Sequence, residues 1–123
     1  MTRATDRLGR SGERYAADFL ARHGYELLER NVRRREGEVD LVARRGDVTV
    51  FVEVKLRRPG DFGRAAEALS PQKRRRLRAL AEAYAAEHPD LPANLRIDLV
   101  AVQLDERGSV AAVQHIENAV EGD

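Results

Sequence analysis

Two short segments rich in β-branched residues constrain the fold of this chain more than any other feature. They span residues 39–43 and 48–56, and residues 44–47 between them contain the turn-forming Gly46. The pattern predicts a β-hairpin, and because successive strand side chains point to opposite faces, the spacing also predicts the two faces. A turn centred on residues 45–46 would pair residue 40 with residue 51, and residue 38 with residue 53.

The two faces of the predicted hairpin differ in character. The apolar face, which we expect to line the core, carries Val39, Leu41, Val50, Val52 and Val54. The other face carries Glu38, Asp40, Phe51, Glu53 and Lys55. Like charges opposite one another on a strand pair are destabilising, and a hard divalent cation held by one or two carboxylates would relieve the repulsion. The alternative is an amphipathic hairpin whose charged face lies in water, with Lys55 paired to Glu53.

The remaining segments predict two helices and three further strands. Apolar residues at helical spacing predict a first helix over residues 7–23, which ends at Gly24, and a strand over residues 25–32 follows. Residues 57–69 form a loop, and Ser70 and Pro71 mark the start of a helix that ends near residue 87. Strands follow at residues 95–104 and 110–116. The order α-β-β-β-α-β-β predicts one α/β domain over residues 1–123, a mixed sheet flanked by helices.

Composition excludes several classes of protein. The chain has no cysteine, which excludes disulfides, thiolate zinc sites and iron–sulfur clusters. It has no apolar run of the roughly 20 residues that a membrane span needs, and residues 1–10 lack the apolar stretch of a secretory signal. We therefore expect a soluble cytoplasmic protein without a membrane partner. The spacing of Arg96 and Asp98 on one strand face predicts a structural ion pair.

The charge is unevenly distributed along the chain. Residues 1–78 carry 20 basic and 12 acidic side chains, whereas residues 79–123 carry 2 basic and 9 acidic ones. Such a split favours a positive surface for a polyanion, although a solvated surface with uneven signs is the simpler alternative. The candidate contacts to a nucleic-acid backbone are the basic clusters Arg33, Arg34 and Arg35; Arg57 and Arg58; and Lys73, Arg74, Arg75 and Arg76.

The hairpin also carries a family resemblance. Asp40, twelve intervening residues and then Glu53-Val54-Lys55 resemble the active-site signature of the restriction-endonuclease-like (PD-D/E-x-K) nucleases. A set of short motifs, in order along nearly the whole chain, resembles the small bacterial YraN-like proteins, which are related to archaeal Holliday-junction resolvases. These motifs are Gly9-Arg10-Ser11-Gly12-Glu13, Arg30-Asn31, Gly37-Glu38-Val39-Asp40, Phe51-Val52-Glu53-Val54-Lys55, Arg96-Ile97-Asp98 and Asn118-Ala119.

The resemblance implies a restriction-endonuclease-like core and a site for Mg²⁺ or Mn²⁺. Asp40 and Glu53 match the metal carboxylates, the backbone carbonyl of Val54 a further ligand, and Lys55 the catalytic lysine. Glu13 matches an additional metal-binding glutamate of related resolvases, although an ordinary helix-surface role is equally compatible with its position. Val39 stands where the superfamily's namesake motif has proline. Supporting polar residues are expected at Gln72 or Lys73, and at Glu38 on the charged hairpin face.

Three functions are compatible with these features. The leading hypothesis is a metal-dependent endonuclease that hydrolyses DNA phosphodiester bonds, with branched or structured DNA as its substrate. The second is a non-catalytic module of the same fold that binds nucleic acid or a DNA-processing partner. The third is an assembly protein whose acidic cluster is merely exposed. Because related resolvases act as two-fold dimers, the resemblance also implies a homodimer.

Overall fold

The computed structural model describes residues 3–61 and 69–120, with the side chains from residue 11 onwards, and confirms the predicted order of elements. Part of the loop predicted at residues 57–69 therefore lies outside the described residues. The elements are α1 (Arg3–Arg22), β1 (Glu26–Arg34), β2 (Gly37–Arg45), β3 (Val48–Arg57), α2 (Pro71–Glu87), β4 (Asn94–Leu104) and β5 (Val110–Ile116). No helix in the described ranges is long and apolar enough to cross a membrane.

The five strands form one mixed sheet in chain order. Strands β1, β2 and β3 are antiparallel neighbours, β3 and β4 are parallel, and β5 returns antiparallel to β4. Because a parallel pair needs a crossover connection, α2 bridges β3 and β4. The side chains of α2 pack with Phe51 and Leu99 in one core cluster, and those of α1 pack with Val52 and Val100 in another. Successive residues of β3 and β4 alternate between the two clusters, so the helices cover opposite faces of the sheet.

Local signals place the helix boundaries near the predicted positions. The Ser70 hydroxyl accepts a hydrogen bond from the Lys73 N–H at 3.2 Å, and Pro71 takes the first helical position, where its missing N–H costs nothing. At the end of α1, Gly24 adopts φ 89°. Within α1, a side chain on Gly12 would begin 3.0 Å from Leu56, so the helix approaches β3 closely and carries the adjacent Glu13 to the sheet.

The β2–β3 hairpin is tighter than predicted. Arg45 pairs with Val48 and Val42 pairs with Phe51, so the turn contains only Gly46 and Asp47. A two-residue turn with glycine at its first position, here at φ 57°, matches the right-handed twist of the flanking strands. The predicted pairing of residue 40 with 51, and of 38 with 53, is therefore wrong by two residues. Because strand side chains alternate between the two faces with a period of two, this shift alone would leave each side chain on its predicted face.

Val39 lies on the face opposite to the predicted one. It packs with Phe51 on the α2 side of the sheet, whereas Leu41, two residues later, packs on the α1 side. Across from this point, Asn31 of β1 adopts the left-handed conformation, with φ 52°. Asparagine tolerates that conformation better than most residues. Because the prediction assumed strict alternation in regular strands, the reversed face of Val39 was not predictable from spacing.

Candidate functional site

Asp40 and Glu53 lie next to each other where β2 and β3 diverge. The regular pairing of the two strands ends at Leu41 and Val52. Asp40 is the residue of β2 just before Leu41, and its Oδ2 accepts a hydrogen bond of 2.7 Å from the backbone N–H of Val54. The Asp40 side chain therefore accepts a hydrogen bond from a β3 N–H that would donate to a backbone carbonyl in a regular ladder. This opening holds the two carboxyl groups together, and we call them the carboxylate pair.

The carboxylate pair is electrostatically strained. Burial and the neighbouring Asp40 carboxylate raise the pKa of Glu53 to about 7, against the opposing effect of Lys73. Burial and the negative charge of Glu13 likewise raise the pKa of Asp40, whereas the hydrogen bond from Val54 acts to lower it. Two carboxylates in a shared, poorly solvated place favour their protonated forms. Holding these two negative charges close together therefore lowers the stability of the folded protein.

Lys73, in the first turn of α2, is the ion-pair partner of Glu53. Its Nζ contacts Glu53 Oε2 directly, and the Glu53 side chain is only 13% exposed. Lys55, two residues beyond Glu53 on β3, is exposed. The alternative reading of the hairpin expected Lys55 in the ion pair with Glu53, but the partner comes from a helix twenty residues further along the chain.

The other predicted carboxylates stand apart from the pair. Glu13 and Asn31 line, together with Asp40, a cavity of about 170 Å³. Glu38 also lines this cavity, but its carboxylate pairs with Arg33 at 3.4 Å, and both side chains are largely exposed. Within residues 11–61 and 69–120, no three His, Asp or Glu side chains are gathered closely enough to hold a metal ion by themselves. Three hairpin carboxylates were predicted to lie together, but the structure brings together only Asp40 and Glu53, with Glu13 across a small cavity from Asp40.

The donor set nevertheless suits one kind of cation. Mg²⁺ prefers oxygen ligands, keeps several waters, and is commonly held by one or two carboxylates together with substrate phosphates. The carboxylate pair supplies that number of ligands, and its mutual repulsion would be relieved by a cation. The residues present therefore fit Mg²⁺ or Mn²⁺ at a site that substrate completes.

A basic groove adjoins the carboxylate pair. It is a cavity of about 550 Å³ between the β1–β2 end of the sheet and the start of α2. Besides the carboxylate of Glu38, its polar lining includes the side chains that we use to define it: Arg33, Arg34, Gln72, Lys73 and Arg76. Since Lys73 both lines the groove and contacts Glu53, the groove and the carboxylate pair share a wall.

The remaining predicted basic residues lie outside the lining of this groove. Arg74 Nε donates a hydrogen bond of 2.9 Å to the carbonyl of Leu69, which ties it to the start of the helix. Arg75 is exposed on α2, Arg35 lies in the β1–β2 turn and Arg57 ends β3. The backbone of Arg58 is held in a turn, where its N–H donates to the Asp61 carboxylate at 2.7 Å.

Asp98 is the centre of a second polar cluster, and its predicted ion pair with Arg96 is confirmed. Arg96 donates to both carboxylate oxygens, at 2.8 and 2.9 Å. His115 Nε2 lies 2.8 Å from Asp98 Oδ2, and the Asn118 N–H donates at 2.9 Å. Burial by itself would raise the pKa of Asp98, but these hydrogen bonds lower it. Sequence reasoning missed His115 and Asn118 because they are brought to Asp98 only by the pairing of β4 with β5.

Removing the charge of Glu53 should stabilise the protein at alkaline pH. The folded-state pKa of about 7 lies above the ordinary value of 4.5, so the ionised form destabilises the fold increasingly as pH rises from 4.5 towards 7. We expect Glu53→Gln to increase the free energy of unfolding by on the order of 2 kcal/mol at pH 8, with little gain at pH 4.5. Urea unfolding in EDTA measures this change in the free energy of unfolding. The control for the loss of one negative charge is Glu82→Gln, at an exposed position of α2. An equal effect of Glu53→Gln at both pH values would contradict it.

Comparison with known proteins places the chain among close relatives. The model of the uncharacterised protein family UPF0102 matches residues 12–102. A UPF0102 protein of Roseiflexus castenholzii is 50% identical over 123 residues, which cover 98% of each chain. UPF0102 proteins of Parafrankia sp. and Kineococcus radiotolerans are 46% and 49% identical, and cover 95% and 93% of this chain and 98% and 93% of their own lengths. The similarity therefore extends over nearly the whole chain, and the range matched by the family model spans the positions of the carboxylate pair.

Proposed function

Because this chain belongs to the UPF0102 family, the YraN-like family whose motifs it carries, we propose that it is a metal-dependent endonuclease that hydrolyses DNA phosphodiester bonds, with branched or structured DNA as its substrate. The observation that carries this proposal is the carboxylate pair beside the basic groove. Adjacent, poorly solvated carboxylates are unfavourable unless a cation is held there, and a phosphate backbone is the polyanion that suits the groove.

The residues of the site have distinct roles in this proposal. Asp40 and Glu53 would hold Mg²⁺ or Mn²⁺, with the backbone carbonyl of Val54 as a further ligand. The metal would supply Lewis-acid activation of water for attack on the phosphodiester. Lys55, exposed on the same strand, would present its ammonium to the negative charge that develops on the phosphate. Glu13, across the small cavity from Asp40, would accept hydrogen bonds from water near the site.

The basic groove would position the DNA backbone. Arg76 lines the groove, and a guanidinium group binds phosphate oxygens in a forked geometry. Arg33 and Arg34 are paired with Glu38 and Glu87, and they would exchange these carboxylates for phosphate oxygens when DNA binds. Contacts of this kind fix the register of the nucleic acid without reading its sequence. The proposal therefore implies recognition of backbone shape, with binding that weakens steeply as salt concentration rises.

Cleavage of a panel of labelled DNAs tests the proposed function. Duplex, single strand, fork and four-way junction are incubated at low salt with Mn²⁺, using wild type beside Glu53→Ala. We expect wild type to cut the fork or the junction fastest, and Glu53→Ala to cut at least about a hundredfold more slowly, since a metal ligand supplies several kcal/mol of transition-state stabilisation. Tight binding by both proteins without cutting would instead support the non-catalytic DNA-binding module.

A further inference from the structure

Lys73 occupies the place beside Glu53 that a divalent cation would take. We propose that Lys73 is a built-in competitor for the metal: its ammonium offsets part of the negative charge of the carboxylate pair in the metal-free protein, and metal binding displaces it into the basic groove. The direct contact between Lys73 Nζ and Glu53 Oε2 carries this inference, together with the contribution of the same side chain to the groove lining. The inference rests on the proposed function, because it assumes that the pair holds a metal.

The Lys73 side chain can place its ammonium either beside Glu53 or in the basic groove. The side chain is 46% exposed, and its flexible four-carbon stem starts from the first turn of α2. A positive charge is disfavoured near the N-terminus of a helix, and the first turn of α2 contains no acidic residue that would compensate it. The ammonium is therefore stabilised by an anion outside the helix, which is Glu53 without metal and a phosphate in the groove when DNA is bound.

The positions of the two lysines in the chain are a separate observation about this site. Of the 22 basic residues, 20 are arginine, and the two lysines are Lys55 and Lys73. One follows Glu53 by two residues, and the other contacts it. Arginine presents a broad, planar fork, whereas lysine presents a compact point charge that resembles a metal ion more closely in size. Lysine thus occurs at the two positions around Glu53 where a compact, movable charge is useful.

A coupling between metal and DNA follows from this competition. A phosphate that draws Lys73 into the groove frees Glu53, and so strengthens metal binding. By thermodynamic reciprocity, the metal strengthens DNA binding by the same factor. The protein would therefore assemble its complete site mainly when both are present.

Calorimetric titration of the full, DNA-free chain with Mn²⁺ at pH 8 tests this inference. We expect Lys73→Met to bind Mn²⁺ about tenfold more tightly than wild type, because the competing ammonium is gone. Lys73→Arg keeps a competing positive charge and should therefore bind Mn²⁺ more weakly than Lys73→Met. Arg75→Met removes a charge from an exposed position of α2 and should change the affinity by less than about twofold, since exposed charges are screened. Adding a phosphorothioate-linked fork should raise the Mn²⁺ affinity of wild type by a larger factor than that of Lys73→Met, because only wild type has an ammonium for the DNA to draw away.

The possible results separate the inference from the proposed function. Thermal melting of each variant first establishes that it is folded. Equal Mn²⁺ affinity of wild type and Lys73→Met, or weaker binding by Lys73→Met, would overturn the competition and leave the metal site in place. Absence of Mn²⁺ binding by all four proteins, even with the phosphorothioate-linked fork present, would overturn the proposed function itself.

Discussion

Asp40→Asn should abolish Mn²⁺-dependent DNA cleavage while leaving the protein folded. The substitution keeps the shape of the side chain, and its amide oxygen can still accept the hydrogen bond from the Val54 N–H. It removes one negative ligand from the carboxylate pair, and a loss of about 4 kcal/mol of transition-state stabilisation corresponds to a rate about 10³-fold lower. The measurement is the initial rate of cleavage of the preferred DNA from the panel at saturating Mn²⁺.

The control for Asp40→Asn is Asp47→Asn, the same chemical change at an exposed residue in the turn of the same hairpin. It should leave the cleavage rate unchanged. Asp40→Asn should also melt no earlier than wild type, because it removes one of two repelling charges. Full metal-dependent cleavage by Asp40→Asn would show that the carboxylate pair is not the catalytic centre.

Asp98→Ala should cause the largest loss of stability of any substitution considered. The carboxylate is completely buried and accepts hydrogen bonds from Arg96, from His115 and from the backbone of Asn118. Its removal leaves the largely enclosed Arg96 guanidinium with only the Tyr25 hydroxyl and the more exposed Glu117 as partners. Breaking a buried ion pair from one side costs about 3 to 5 kcal/mol. Urea unfolding at pH 7 measures the loss, provided that the slope against urea stays unchanged.

The pH at which Asp98 is tested matters. The folded-state pKa of Asp98 is lowered, so its contribution to stability is present above its ordinary value of 3.8 and is lost as pH falls through the folded-state value. At pH 7 the contribution is complete. Asp90→Ala, at an exposed position after α2, is the control and should change stability by less than about 0.5 kcal/mol. A loss below about 1 kcal/mol for Asp98→Ala would show that the cluster contributes little to stability.

The predictable part of the fold was the part governed by local chemistry. Ser70 and Pro71 identified the start of α2 because capping depends on residues within one helical turn. The last strand was predicted with its observed bounds, Val110–Ile116, because a turn sequence and a short apolar run delimit it. The face assignment failed at Val39, which packs on the α2 side of the sheet close to the left-handed backbone of Asn31 on the neighbouring strand.

The candidate site was only partly predictable. Asp40 and Glu53 were identified from spacing within one hairpin, and the structure brings them together. Glu38 was grouped with them by the same alternation, but its side chain turns to Arg33. Lys73 was assigned to a basic cluster and, with Gln72, was an alternative for the supporting polar residue that the family resemblance implies. Its contact with Glu53 was not predicted, because no periodicity relates residues on different elements.

The sequence by itself determined the elements, their order and the carboxylates of the hairpin, because helix caps, turns and strand alternation are encoded by neighbouring residues. Only the tertiary structure decided which charges meet. The crossover through α2 lays its first turn beside β3, so Lys73 reaches Glu53, and the pairing of β4 with β5 brings His115 to Asp98. Such contacts join residues far apart in the chain, and their partners are selected by how helices and strands pack against one another.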